Sequence, residues 1–127
     1  MSKDTGFSIT SAERYSLALY ELSNENNLLM KIEKQCSSIL GLINSSEDFK
    51  NLIKDPTTKQ DDLFKIITSI SENYKFETLL KNFLNFLIQK RRFFFLERIL
   101  KSFIETCSKK RGELKAELKS AKKLSND

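Results

Sequence analysis

A chain of 127 residues with 22 basic and 17 acidic side chains, net charge +5, is long enough for one core, folding to bury roughly two thirds of its unfolded surface. Three glycines and one proline supply little turn chemistry beside abundant Leu, Ile, Phe, Lys and Glu, so an all-helical domain is expected. Histidine is absent and the two cysteines form no CxxC pair, which excludes a zinc site and a Cys/His dyad, and no apolar run approaches the roughly 20 residues of a membrane-spanning helix.

The first ten residues have neither the apolar core of a secretory signal nor the Arg-rich, acid-poor character of a transit peptide; the chain is expected to work where it is made, or to be already mature. Thr10 or Ser11 can cap a first helix whose apolar residues Ala12, Tyr15, Ala18, Leu19 and Leu22 recur at helical spacing, with Leu17 and Tyr20 off that face, and Asn24, Asn26 and Asn27 end it. Ala12 and Ala18 are small enough for another helix to approach closely, and Tyr15 combines a large ring with a hydroxyl that stays wet, which suits a core or an interface. A second helix follows through Leu29, Ile32, Cys36, Ile39, Leu40 and Ile43. Ser45 with Asp48 resembles a capping box for a short third segment, Phe49, Leu52 and Ile53, which Asp55 and Pro56 terminate. Thr58 with Asp61 offers the same signal before a fourth helix through Leu63, Ile66, Ile67 and Ile70.

Residues 76–110 carry almost unbroken helical periodicity without Gly or Pro, a length that is suspect in a compact domain. Either it is one helix or it breaks at Lys90, Arg91 and Arg92; the break is the reading adopted. On a wheel of about 100° per residue, Phe76, Leu79, Leu80, Phe83, Leu84, Phe86, Leu87 and Ile88 sweep roughly 200°, about twice the stripe a surface helix needs. Either this fifth helix is central, or part of its surface is kept for another molecule. Phe93, Leu96, Leu100, Phe103 and Cys107 give the sixth helix one ordinary face, leaving Phe94 and Phe95 to pack back across the turn onto helix five while Arg91 and Arg92 keep that turn in water. Cys36 and Cys107 read as small core residues, a bridge being the minority case. Past Gly112, Leu114, Ala116 and Leu118 alternate as a strand would, while Leu114, Leu118 and Ala121 fit one helical face. A lone strand has no partner within the chain, so the expected fold is an all-α six-helix bundle over residues 1–110 with a helical extension or frayed tail.

For chemistry the sequence offers little: there is no Gly-rich phosphate loop and no acidic metal cluster, and Glu47/Asp48 and Asp61/Asp62 stand at helix starts where negative charge suits the dipole. No catalytic group, cofactor or metal is expected. Lys109, Lys110, Arg111, Lys115, Lys119, Lys122 and Lys123 form the one basic concentration, but Glu113 and Glu117 dilute it and cations suit a helix C-terminus, so nucleic acid is not expected as a partner. No helix combines a basic polar face with a clean apolar one, so membrane insertion is not expected either.

Three segments carry a resemblance. RYSLALYELS at 14–23 resembles the RYAxALxxLA opening of the ATP synthase delta subunit family, whose mitochondrial members are the oligomycin-sensitivity-conferring proteins. LKNFLNFLIQKRRFFFLERILKSF at 80–103 is similar to that family's fifth and sixth helices, with Asn82 and Arg92 at recurrent polar positions, and AELKSAKKLS at 116–125 resembles the AxVxSAxxL segment that opens its second domain. The resemblance implies a non-catalytic stator subunit of the F-type ATP synthase, on the cytoplasmic face of the bacterial inner membrane. It implies a six-helix domain atop the catalytic head, with a groove between helices one and five for the amphipathic N-terminal helix of an alpha subunit. Tyr15, Ala18, Asn82 and Phe86 match the family's groove positions, and Leu22, Leu79 and Phe83 lie beside them on the wheels. Such a subunit ties the head to the peripheral stalk against rotor torque. Residues 111–127 would be a linker or the truncated start of the second domain, which in the family engages the stalk's b subunits, so stalk binding is in doubt for a chain ending at Asp127. Ser16 and Ser23 replace small alanines of the family pattern, a mild change.

Two other readings stand beside it. One is an RNA-binding helical protein like the antitermination factor NusB, against which counts that Arg14 is the sole arginine of the first helix. The other is a self-associating bundle in which the excess apolar surface buries a second copy.

Overall fold

The computed structural model describes residues 2–126, with side chains described from Ser11 to Leu114 and at Ala116. It contains α1 (Ser2–Glu25), α2 (Leu29–Ser45), α3 (Glu47–Lys54), α4 (Gln60–Asn73), α5 (Thr78–Gln89), a 3₁₀ turn (Phe93–Phe95) and α6 (Leu96–Asn126), and no strand among the described residues. The chain is an all-α bundle, as expected.

Helix ends show how a chain so poor in glycine makes its turns. α1, α4 and α5 each stop at a residue in the left-handed region, Asn27 (φ 58°), Lys75 (φ 54°) and Arg91 (φ 58°), and none of the three is glycine. At each stop the following N–H reaches back to a carbonyl of the last turn: Leu28 to Ser23 at 2.8 Å, Phe76 to Ser71 at 2.9 Å and Arg92 to Leu87 at 2.8 Å. This is the Schellman closure, which satisfies carbonyls the helix leaves orphaned. Leu28 and Phe76 then pack on the core, anchoring two of the turns. The break expected at Lys90 to Arg92 is therefore a defined C-cap.

Several local expectations are corrected. Ser11 is no cap, because α1 begins at Ser2: with no proline between them, nothing stops the helix from running in from the start. The cap of α3 is Ser46, whose extended backbone lets its hydroxyl accept from the Phe49 N–H at 3.2 Å, while Ser45 is still helical and donates to the Leu42 carbonyl. Thr58 also does not cap: Lys59 holds the N-cap position of α4 without a side-chain bond, and the Thr58 hydroxyl donates to the Leu52 carbonyl. Phe94 stays 39% exposed instead of packing closed onto α5: its ring lies against Phe95, centroids 4.1 Å apart, and it lines an open cavity with Ile53, Pro56, Leu63 and Ile88. The strand reading of residues past Gly112 falls away, since their backbone continues α6 to Asn126, the helical extension that the sequence also allows.

The core sits around α6, whose Leu96, Ile99, Leu100, Phe103 and Cys107 are all buried at helical spacing. Each such side chain contributes about 1.5–3 kcal/mol of burial. α1 lies beside α6 through Ala12, Ser16, Leu19 and Ser23, a stripe of mostly small buried residues that lets two backbones approach. The Ser16 and Ser102 hydroxyls meet across it at 2.9 Å. α2 lies on the other side, Cys36 and Cys107 both free and buried, and the Arg111 guanidinium grips the Glu33 carboxylate with both arms. Burial pushes both thiols up, Cys107 to about 11, so they stand as inert core groups at neutral pH. At Glu97 burial alone would raise the carboxyl, but Lys101 and then Lys54 and Lys50 outweigh it and hold it below its ordinary range.

These contacts fix directions. α1 and α6 run the same way: Ser16 in the middle of α1 meets Ser102, while Arg111, further along α6, grips Glu33 just past the end of α1. α5 runs opposite to both: Gln35 of α2 accepts from the Glu77 N–H at 3.0 Å, placing the start of α5 near the end of α1, and Phe86 meets Tyr15 near the other end.

Candidate functional site

Helix geometry divides α1 into two faces. Leu19 falls on the buried stripe, whereas Tyr15, Ala18 and Leu22 recur at spacings of three and four on a neighbouring face that the rest of the bundle leaves open. What the sequence presents as one apolar face is thus two: one for α6 and one for the surface. α5 divides in the same way. Leu80, Leu84, Leu87 and Ile88 are fully buried, while Leu79, Asn82, Phe83 and Phe86 look toward the open face of α1. The 200° arc of α5 is thereby explained as a core face plus a groove face.

Between the two helices lies a groove of about 420 Å³ lined by Tyr15, Ala18, Leu22, Leu79, Asn82, Phe83 and Phe86. The structure brings together all of the residues singled out from the sequence as a partner-helix groove. Phe83, only 7% exposed, forms its floor. Leu22 at 44% and Phe86 at 42% exposure are walls that keep large apolar surfaces in water. Ala18 is exposed and small, leaving room above the α1 backbone, and Asn82 is the exposed amide of the lining. Tyr15 and Phe86 meet edge to face, ring centroids 6.2 Å apart at 61°, which fixes the Phe86 ring at one end.

One contributor escaped the sequence reading. Lys90, taken only as part of a helix break, sets its ammonium 5.7 Å from the centroid of the Phe86 ring. The signal was present: Lys90 is one turn beyond Phe86 and shares its face. It places a cation at the groove's Phe86 end, where the ring's π face favours it.

Among the described residues there is no group of three or more His, Cys, Asp or Glu able to hold a metal ion, and no helix long and apolar enough to cross a membrane. The larger cavity between α1 and α6 is lined mainly by charged residues of both signs, Glu13, Glu97, Arg98, Lys101 and Glu105. What the α1/α5 groove can do chemically is bury apolar side chains of another molecule, with an amide and an ammonium available for orientation.

Comparison with known proteins agrees on one family. The model of the ATP synthase delta (OSCP) subunit family matches residues 12–127. Along its whole length the chain is 62% identical to the ATP synthase subunit delta of Pelagibacter ubique, covering 69% of that protein. It is 35% identical over 113 residues to the subunit delta of Rhizobium meliloti, covering 60% of it, and 31% identical over 115 residues to that of Rhodospirillum rubrum, covering 62%. The chain thus spans roughly two thirds of the length of these curated relatives. Among solved structures, a chain of the Toxoplasma gondii mitochondrial ATP synthase hexamer shares the fold with a TM-score of 0.69 at 24% identity, over 72% of this chain and 51% of that one. These matches support the first resemblance and lend nothing to the RNA-binding one.

Proposed function

The chain belongs to the ATP synthase delta (OSCP) subunit family, and on that premise we propose that it is a non-catalytic stator subunit whose α1/α5 groove holds the amphipathic N-terminal helix of an alpha subunit. The observation that carries the proposal is the groove itself. An amphipathic helix lays its apolar face into a hydrophobic trough by anchors spaced one turn apart, and this trough runs about two turns, from Tyr15 to Leu22, with exposed Leu22 and Phe86 as walls. The mechanism is mechanical: a head gripped through its alpha subunit and tied to a peripheral stalk cannot turn with the rotor, so torque reaches the catalytic sites.

The proposed setting is peripheral, at the cytoplasmic face of a bacterial inner membrane. Residues 111–127 correspond in this reading to the start of the family's second domain, and engagement of a stalk b subunit would belong to that domain. Calorimetric titration with a synthetic peptide of the alpha-subunit N-terminal helix from Pelagibacter ubique tests the groove assignment. Saturable one-to-one binding with a negative heat-capacity change is expected from burial of apolar surface. A folded domain that takes up no peptide, or that self-associates through this face in light scattering, contradicts it.

A further inference from the structure

We propose that the cavity between α3, α4 and the aromatic turn binds an apolar carboxylate: a ring or short chain that carries one negative charge, held by Arg91. The site lies on the α3 and α4 side of α5 and shares no residue with the α1/α5 groove, so it stands independently of the helix-receptor reading.

The cavity measures about 190 Å³, and its apolar walls are Ile53 of α3, Pro56, Leu63 of α4, Ile88 of α5, and Phe93 and Phe94 of the turn. Ile53, Leu63, Ile88 and Phe93 are buried and form its floor, while Phe94 keeps 39% of its surface exposed. Size sets the ligand class. An apolar cavity of about 150 Å³ takes a benzene ring, whereas pockets for drug-sized molecules begin at about 300 Å³. One ring or one side chain fits here, with its polar group left at the rim.

The polar lining decides the charge. Gln60 donates its amide N–H to the Ile88 carbonyl at 2.9 Å, and the Thr58 hydroxyl donates to the Leu52 carbonyl at 3.1 Å. One oxygen of Asp55 accepts from the Thr57 N–H at 2.9 Å and from its hydroxyl at 2.6 Å. Arg91 is the uncommitted group: it is exposed, and among the described residues no carboxylate forms an ion pair with it. A guanidinium presents a planar fork of N–H donors that matches a carboxylate. Lys90 and Arg92 flank it in sequence and Lys59 stands at the N-cap of α4, against Asp61 and Asp62 in that helix's first turn. Asp55, which also lines the cavity, repels a second negative charge, so a monocarboxylate is favoured over a dicarboxylate or a phosphate ester.

Two sources supply such a group, a free organic acid and the C-terminal residue of another chain. The test follows amide signals of the isotopically labelled chain during titration with hydrocinnamate, with its neutral amide, and with a short peptide ending in phenylalanine whose terminus is free or amidated. Saturable shifts at Asp55 to Thr58 and Arg91 to Leu96 are expected, with a Kd of about a millimolar for hydrocinnamate. The neutral amide is expected to bind roughly tenfold more weakly. Arg91 has φ 58°, a conformation glycine adopts freely, so Arg91→Gly removes the guanidinium and keeps the cap; it is expected to abolish the preference for acid over amide. Phe94→Ala, with its thermal midpoint read alongside, is expected to weaken hydrocinnamate binding roughly fivefold. Tighter binding of the free-terminus peptide than of hydrocinnamate assigns the site to a chain terminus, and the reverse order assigns it to a small acid. The proposal is overturned by the absence of saturable shifts at these residues, by equal binding of acid and amide, by a preference that survives Arg91→Gly, or by an affinity that Phe94→Ala leaves unchanged.

Discussion

Ser16 and Ser23 sit where the family pattern has alanines, and the structure shows that they are not equivalent. Ser16 is buried, but its hydroxyl has the Glu13 carbonyl at 2.9 Å and Ser102 at the same distance across the α1/α6 contact. The Ser23 hydroxyl is buried with no partner among the described residues. Leaving such a group unpaired costs about 1–3 kcal/mol, and alanine is also the better helix former. Ser23→Ala is therefore expected to stabilise the domain by about 1 kcal/mol, read as a rise in thermal midpoint, whereas Ser16→Ala also removes a bond and gains less. A lower midpoint for Ser23→Ala would mean that the hydroxyl has a partner in solution.

At the scale of elements, the helix ends show what the sequence could and could not disclose. The existence of the helices follows from apolar spacing, because burial rewards that spacing wherever the caps fall. The cap of α3 is displaced by one residue from the expected Ser45: Ser45 is the last helical residue of α2, and the extended backbone at Ser46 is what presents a hydroxyl to the Phe49 N–H. The split of α1 into a core face and a groove face was hidden as well. Tyr15, Ala18 and Leu22 are apolar like Leu19, and a wheel cannot tell an apolar residue packed by α6 from one left open. The groove residues became legible through resemblance, and Lys90 was missed because a lysine near a helix end has an ordinary explanation in the dipole. The non-glycine left-handed caps were invisible in the sequence for want of a glycine to mark them. Lys75 at φ 54° carries a conformational cost that glycine avoids. Lys75→Gly is expected to raise stability by several tenths of a kcal/mol, part of the gain being offset by the extra freedom glycine gives the unfolded chain. Chemical denaturation reads the difference, and a loss of stability would show that the lysine side chain holds the turn.

For the whole molecule, core and groove are built from different faces of the same two helices. α6 takes the buried stripe of α1, the buried face of α5 belongs to the core, and the faces left over converge into one open trough. A domain arranged in this way can lose its partner site without losing its fold. That separation is the central claim, and Ala18 is the residue at which to test it, because it is exposed in the free domain and lines the groove. Ala18→Asp would place an uncompensated charge against apolar side chains only when a helix is bound. The decisive measurement is peptide affinity and thermal midpoint of this variant side by side. A loss of affinity of tenfold or more with the midpoint essentially unchanged is the predicted result. A collapsed midpoint would return Ala18 to the core, and an unchanged affinity would place the partner helix elsewhere.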